Sequence, residues 1–211
     1  MTSEERDIGV LVTANLKPAA QCAKAARTAS VVLGQISRAF HYKDKRTFMR
    51  LYKQYVRPHL EFASQAWNPW LQKDIEILEK VQMRAVKMIG GLKGASYQER
   101  LAELGLQSLE DRRAEADMVM TYKVLTGKVR IDKERWFRLA APAAQQHTRA
   151  AADPLRLHKP RARLDIRDRF FTVRVIDRWN ELPLSIRAAP TVERFKTALR
   201  MRTGASVTGM R

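Results

Sequence analysis

Apolar residues recur every three or four positions along most of this chain, and that spacing predicts a mainly helical protein. The clearest case covers residues 19–40, where one helix face collects the apolar positions Cys22, Ala26, Ala29, Leu33, Ile36 and Phe40. Asp44 is placed to cap a second helix over 44–65, and a Gly-Gly pair closes a third over 74–90. We therefore expect a helical bundle.

Shorter signals extend the helical pattern towards the C-terminus. SYQE at 96–99 is a capping box, in which a serine and a glutamate satisfy the first backbone N–H groups of a helix that Gly105 ends. SLED at 108–111 begins a longer helix that runs to Gly127. A weaker helix is expected at 132–139.

The C-terminal third contains a stretch in which apolar residues show no regular spacing, followed by two further helices. Residues 140–168 are rich in alanine, proline and bases, which predicts a basic linker. Phe171, Val175 and Trp179 then recur every four residues on one helix face. Thr191 caps a last helix, and the chain is expected to fray from residue 203.

The N-terminal region contains the best strand candidate. Residues 8–12 read IGVLV, a short apolar run with β-branched members. A strand needs a partner in a sheet, so a single strand at the start of a helical chain is unusual. The expected fold class is mainly α, with a short N-terminal strand or hairpin.

The charge of the chain favours a polyanionic partner. Its 211 residues carry 40 Lys+Arg against 22 Asp+Glu, a formal net charge of +18 at pH 7. Such an excess favours nucleic acid over a membrane surface, although a merely soluble basic protein is an open alternative. No apolar run approaches the roughly 20 residues of a membrane span. Without a signal-peptide pattern, and with one cysteine, a nuclear or cytoplasmic location is expected.

The sequence offers no candidate catalytic or metal site. Phosphoryl transfer with two metal ions needs carboxylates that converge on the ions, and the chain contains no adjacent pair of aspartates. The four histidines lie far apart and show no metal-binding spacing. GLKG at 91–94 lacks the length and the Lys-Ser/Thr ending of a phosphate-binding loop. We expect no cofactor, no metal and no enzymatic activity.

Two basic segments are candidates for phosphate contact. In LYKQYVRPHLEFASQAWNPW (51–70) and the residues before it, helical spacing directs Phe48, Leu51, Tyr55 and Phe62 to a core. The opposite side would present Lys45, Arg46, Arg50 and Lys53 to phosphate. Pro58 should kink or break this helix near Tyr55.

The second segment is extended rather than helical. Its candidate bases are Arg156, Lys159, Arg161 and Arg163. A proline-containing extended stretch suits tracking of a phosphate backbone rather than reading of base edges. A flexible basic linker that binds nothing specific is an equally open interpretation.

Five blocks in fixed order carry a family resemblance. They are DIGVLVTANLKP (7–18), LYKQYVRPHLEFASQAWNPWL (51–71), LEKVQMRAVKMIGGL (78–92), SYQERLAELGLQSLEDRR (96–113) and FFTVRVIDRWNELP (170–183). Together they resemble the C-terminal part of the reverse transcriptase of non-LTR (LINE-type) retrotransposons, in the jockey-like and chicken-repeat-like group. The resemblance covers about residues 7–200.

The resemblance implies a division of the chain and a role for its helices. It implies a remnant of a palm strand (1–18), a thumb-like helical domain (19–139), the basic linker (140–168), a C-terminal helical segment (169–202) and a disordered tail (203–211). A polymerase thumb holds primer and template by the backbone. The family's fingers, catalytic palm aspartates and endonuclease have no counterpart in this sequence, so we expect no polymerase activity.

Three functions are consistent with these observations. The favoured one is a nucleic-acid-binding C-terminal fragment of a retrotransposon RNA-directed DNA polymerase, which would contact RNA, DNA or an RNA–DNA hybrid and could meet the missing palm and fingers in trans. The second is a host-adopted, non-catalytic binding or adaptor protein derived from that fragment. The third is a basic peripheral-membrane protein.

Overall fold

The protein is mainly helical and begins with a short hairpin, which confirms the predicted fold class. The computed structural model describes residues 3–41, 44–140 and 153–208, with side chains as far as Arg202. The chain divides into two compact units, Met1–Arg113 and Ala114–Arg211. This division falls inside the single helical domain expected over 19–139, because residues beyond Arg113 contribute to a second apolar core.

The hairpin pairs β1 (Glu4–Asp7) with β2 (Val10–Thr13) in antiparallel register. Ile8 and Gly9 both have positive φ, 43° and 89°, as a two-residue hairpin turn requires. The expectation of a strand over 8–12 is therefore wrong at its start, because Ile8 lies in the turn. β2 pairs with β1, whose charged sequence EERD has no apolar pattern that would predict a strand.

The core of the first unit lies where α1 (Ala19–Ala39) packs on α5 (Gln72–Lys87). The buried face of α1 is made mostly of small side chains, including Cys22, Ala26 and Ala29. Burial raises the pKa of Cys22 to about 12, so the thiol is protonated at neutral pH. Phe40 does not continue this face, because it is the extended C-cap residue of α1 and is exposed.

The second predicted helix is divided by a π-helical turn. Asp44 caps α2 (Lys45–Leu51) by accepting a hydrogen bond from Thr47 N–H at 2.9 Å, as predicted. The turn Tyr52–Val56 follows and leads into α3 (Arg57–Glu61), and the short helix α4 (Ser64–Trp67) comes next. Pro58 has no N–H to continue the regular ladder, and the Arg57 N–H reaches back five residues to Tyr52 O.

The π-helical turn changes which aromatic side chains are buried. Phe48, Tyr52, Val56 and Leu60 now repeat every four residues and are all buried. Tyr55 and Phe62, which we expected in the core, are each 55% exposed. That expectation is wrong for Tyr55 because a π-turn places more residues in one turn than the regular helix assumed for the apolar spacing. It is wrong for Phe62 because this residue follows the end of α3, where the backbone is no longer helical.

A buried polar network connects α5 with the chain that follows it. The capping box is confirmed: Ser96 and Glu99 exchange hydrogen bonds at the start of α6 (Tyr97–Glu103). Gln82 accepts a hydrogen bond from Tyr52 Oη at 2.6 Å and donates to Tyr97 Oη at 2.9 Å. Glu79 accepts from Leu109 N–H at 3.0 Å, at the start of α7 (Leu109–Leu125).

The second unit contains its own apolar core. Its elements after α7 are α8 (Lys133–Trp136), α9 (Asp165–Asp168), α10 (Phe171–Asn180), α11 (Leu184–Arg187) and α12 (Val192–Thr208). Tyr122 stacks on Phe195 with ring centroids 4.5 Å apart, and Trp179 lies 6.0 Å from the same ring. Thr191 caps α12 through the Arg194 N–H, as predicted.

Part of the predicted basic linker is packed in this core. Residues 141–152 lie outside the described residues, but Leu157 is fully buried and forms a β-bridge with Leu139. Asn180 holds the Leu157 backbone from both sides, with hydrogen bonds of 2.9 Å to its N–H and its carbonyl. Trp179 donates to Leu155 O at 2.8 Å. The interpretation of 140–168 as a linker is therefore wrong for the described part around Leu157.

Two further expectations concern the end of the chain and the membrane. The backbone of α12 is helical to Thr208, past the residue at which fraying was expected, and residues 209–211 lie outside the described residues. Within the described ranges, no helix has both the length and the apolar content needed to cross a bilayer.

Replacing Trp179 with alanine should destabilise the second unit by about 3–5 kcal/mol, because the ring is 1% exposed and its removal leaves a cavity. Urea unfolding followed by circular dichroism measures the change. The matched control is Met201→Ala on the exposed surface of α12, which should stay within about 0.5 kcal/mol of the parent. Equal midpoints for Trp179→Ala and the parent would contradict the packing described here.

Candidate nucleic-acid interface

The first candidate surface is the basic side of α2 and the π-helical turn. Lys45, Arg46, Arg50 and Lys53 are all exposed there, as the sequence predicts. The opposite side is fixed by the buried residues Phe48, Met49 and Tyr52. The fold thus presents the four bases on a rigid helical support, which we call the helical basic face.

One member of the helical basic face is already paired. Lys45 Nζ lies 2.6 Å from Glu103 Oε1 of α6, and this hydrogen bond holds the pKa of Glu103 below its usual value. Both side chains are more than half exposed, so the pair contributes little to stability. Arg46, Arg50 and Lys53 form no ion pair with any residue that the structure describes. These three are available to phosphate without breaking a contact.

The second candidate surface is the extended segment 156–163, which we call the basic arm. Arg156, Lys159, Arg161 and Arg163 are exposed as predicted. The buried Leu157 fixes the arm between the first two of these bases. The arm is therefore anchored to the second core at Leu157.

Lys159 differs from the three arginines of the basic arm. Its Nζ forms ion pairs with Asp177 of α10 and, at 3.7 Å, with Asp168 of α9. The hydrogen bond to Asp177 raises the pKa of Lys159. Among the described residues, Arg156, Arg161 and Arg163 have no ion-pair partner. Lys159 is therefore already paired with two acids, and the three arginines are the members of the basic arm without an ion-pair partner among the described residues.

The structure adds a basic groove that sequence reasoning missed. An open groove of about 290 Å³ lies between α1 and α5, with a floor that includes Ala26 and Val81. Its rim carries the exposed bases Arg27, Lys80 and Arg84. The spacing of Lys80 and Arg84 on one helix face is visible in the sequence. Their meeting with Arg27 depends on how α1 packs on α5, which the sequence does not show.

Exposed positive charge is the chemical feature that the candidate surfaces share. His, Cys, Asp and Glu residues within the described ranges form no group of three that could hold a metal ion. Several carboxylates instead cap helices or pair with bases, as Asp44, Glu103 and Asp177 do. An arrangement of exposed guanidinium and ammonium groups on fixed supports can neutralise phosphates and release their counterions.

Replacing Asp168 and Asp177 together with asparagine should release Lys159 for phosphate, because both of its acidic partners are removed. If the basic arm contacts nucleic acid, the log–log salt dependence of binding to duplex should become steeper by up to about 0.9, which corresponds to one additional phosphate. Fluorescence anisotropy at several salt concentrations measures this slope. The control neutralises two exposed acids of β1 with Glu4→Gln and Glu5→Gln. If the salt slope changes equally in the control and in the Asp168→Asn, Asp177→Asn variant, the effect is due to net charge alone.

Comparison with known proteins leaves the family of this chain open. No family model matches it. It is similar to an uncharacterized protein of Caenorhabditis elegans, with 27% identity over 97 residues. That stretch covers 44% of this chain and 49% of the nematode protein, so the chain spans about half the length of this relative. No solved structure matches the chain.

Proposed function

We propose that this chain binds the phosphate backbone of nucleic acid and is a C-terminal, thumb-containing fragment of a non-LTR retrotransposon reverse transcriptase. The observation that carries the binding proposal is a set of six exposed bases on ordered supports, with no ion-pair partner among the described residues. They are Arg46, Arg50 and Lys53 on the helical basic face and Arg156, Arg161 and Arg163 on the basic arm.

The net charge supports this proposal because the chain as a whole has more basic than acidic side chains. Lys+Arg exceed Asp+Glu by 18, since 40 bases face 22 acids. A surplus of this size attracts polyanions and accelerates their encounter with the protein. The five sequence blocks supply the second support, since their order matches the end of the palm, the thumb and the region after it in that family.

The two supports suit different contacts. The helical basic face is rigid, because Phe48 and Tyr52 fix α2 and the π-helical turn in the core. A rigid helix can match the regular spacing of phosphates on a duplex. The basic arm holds its arginines along an extended backbone, which also suits the backbone of a single strand. The partners are RNA, DNA or an RNA–DNA hybrid, and the expected location is the nucleus or cytoplasm.

The resemblance assigns the helices of this chain the role of a thumb, which holds primer and template by the backbone. Palm and fingers supplied as a separate chain would be the partners that restore a polymerase. This role explains basic surfaces that occur without a carboxylate cluster among the described residues.

The test measures affinity for an RNA–DNA hybrid, a DNA duplex and a single strand between about 50 and 200 mM salt. One variant replaces Arg46, Arg50 and Lys53 with alanine, and a second replaces Arg156, Arg161 and Arg163. Removal of three phosphate contacts should flatten the log–log salt slope by about 2–3 in each variant. The helical-face variant should lose more affinity for duplex than for single strands, because the rigid face matches duplex geometry.

The control removes the same charge from elsewhere on the surface, with Lys17, Lys73 and Lys93 replaced by alanine. It should retain the salt slope of the parent, because these lysines are exposed but belong to neither surface. Failure of the parent protein to bind any of the nucleic acids would refute the proposed function. Equal losses in all three variants would mean that net charge, and not these surfaces, determines binding.

A further inference from the structure

An exposed aromatic ring follows the basic arm in the second unit. Phe170 is 51% exposed and directly precedes α10. Single exposed apolar side chains are common on protein surfaces. A ring that carries an arginine and follows the exposed Arg161 and Arg163 in the chain is a more specific arrangement, and we call Phe170 with Arg167 the aromatic patch.

The ring of Phe170 carries a cation against its face. The guanidinium carbon of Arg167 lies 5.3 Å from the ring centroid. The short helix α9 fixes this geometry, since Phe170 N–H donates to Arg167 O at 3.2 Å. Arg167 is exposed and forms no ion pair with the described residues. A planar guanidinium and an aromatic ring thus form one surface of π-bonded groups open to solvent.

The residue after Phe170 is a buried ring that packs against other aromatic side chains. Phe171, the chain neighbour of Phe170, is buried and meets Trp136 edge-to-face with centroids 6.1 Å apart. Phe171 is itself fixed by Phe137 at 6.1 Å and by the Arg174 guanidinium at 5.6 Å. The buried Phe171 therefore anchors the backbone directly after Phe170 before any ligand arrives.

The basic arm leads directly into this patch. Arg161 and Arg163 are exposed and precede α9 by a few residues. Their guanidinium groups can bind phosphates, while Phe170, a few residues further along the chain, presents a flat face. Phosphate binding and ring stacking along one path are the two contacts by which proteins hold unpaired nucleotides.

We propose that Phe170 and Arg167 form a stacking platform for the unpaired nucleobases of a single-stranded nucleic acid whose phosphates bind to Arg161 and Arg163. This inference rests on the proposed nucleic-acid-binding function and names the single strand as the ligand of this part of the surface. In a duplex each base is already stacked and paired, so its flat face is closed to Phe170. The platform therefore selects unpaired nucleotides, whereas the helical basic face contacts duplex.

The test compares variants that keep or remove the aromatic face at position 170. Phe170→Leu keeps an apolar side chain of similar size and loses the ring, and Phe170→Tyr keeps the ring. The matched control is Leu164→Ala, which removes an exposed apolar side chain, 67% exposed, at the start of the same short helix. Affinity is measured for a uridine-rich RNA strand and for the duplex it forms with its complement, at about 150 mM salt.

Phe170→Leu should weaken single-strand binding by about 5- to 100-fold and leave duplex binding unchanged. Phe170→Tyr and Leu164→Ala should bind both ligands like the parent. A parent protein that binds neither ligand would refute the proposed function, and the platform with it. Two results would overturn the platform and leave the proposed function standing. In the first, Phe170→Leu binds the single strand as tightly as the parent does. In the second, Phe170→Leu loses the same affinity for the single strand and for the duplex.

Discussion

The surplus of basic over acidic residues determines which charged side chains remain at the surface of this protein. An unpaired cation is costly to remove from water, so a buried base needs an acidic or hydrogen-bonding partner. Three ion pairs of low exposure use acids in this way: Arg112 with Glu61, Arg174 with Asp117, and Arg187 with Asp153. With 22 acids for 40 bases, many bases are left at the surface, and the fold decides where they gather.

The fold positions these basic side chains by burying apolar residues of the same segments in the two cores. Phe48 and Tyr52 hold the helical basic face against the first core, and Leu157 holds the basic arm against the second. The arm also receives the Asn180 clamp and the Lys159 ion pairs. An anchored segment loses less conformational entropy on binding than a flexible one. Its arginines can therefore contribute more of their phosphate interaction to affinity.

Local signals predicted the helices, and tertiary packing decided the rest. The face of α1 and the caps at Asp44 and Ser96 depend on residues within one or two helical turns, which the sequence shows directly. The exposure of Tyr55 could not be predicted, because it depends on a π-helical turn inside an apparently regular pattern. All eight predicted bases are exposed, but the pairing of Lys159 with Asp177 joins residues 18 positions apart and needs the packed arm to be seen.

Chemical modification of arginine gives the most direct test of the claim that the exposed basic side chains bind phosphate. Phenylglyoxal would be applied to the protein with and without an RNA–DNA hybrid, and the modified residues would be identified by mass spectrometry. Arg46, Arg50, Arg156, Arg161 and Arg163 should react in the free protein and be protected by the hybrid. The buried Arg187 should react in neither sample, which provides an internal control. Equal modification of the five arginines with and without the hybrid would contradict the account.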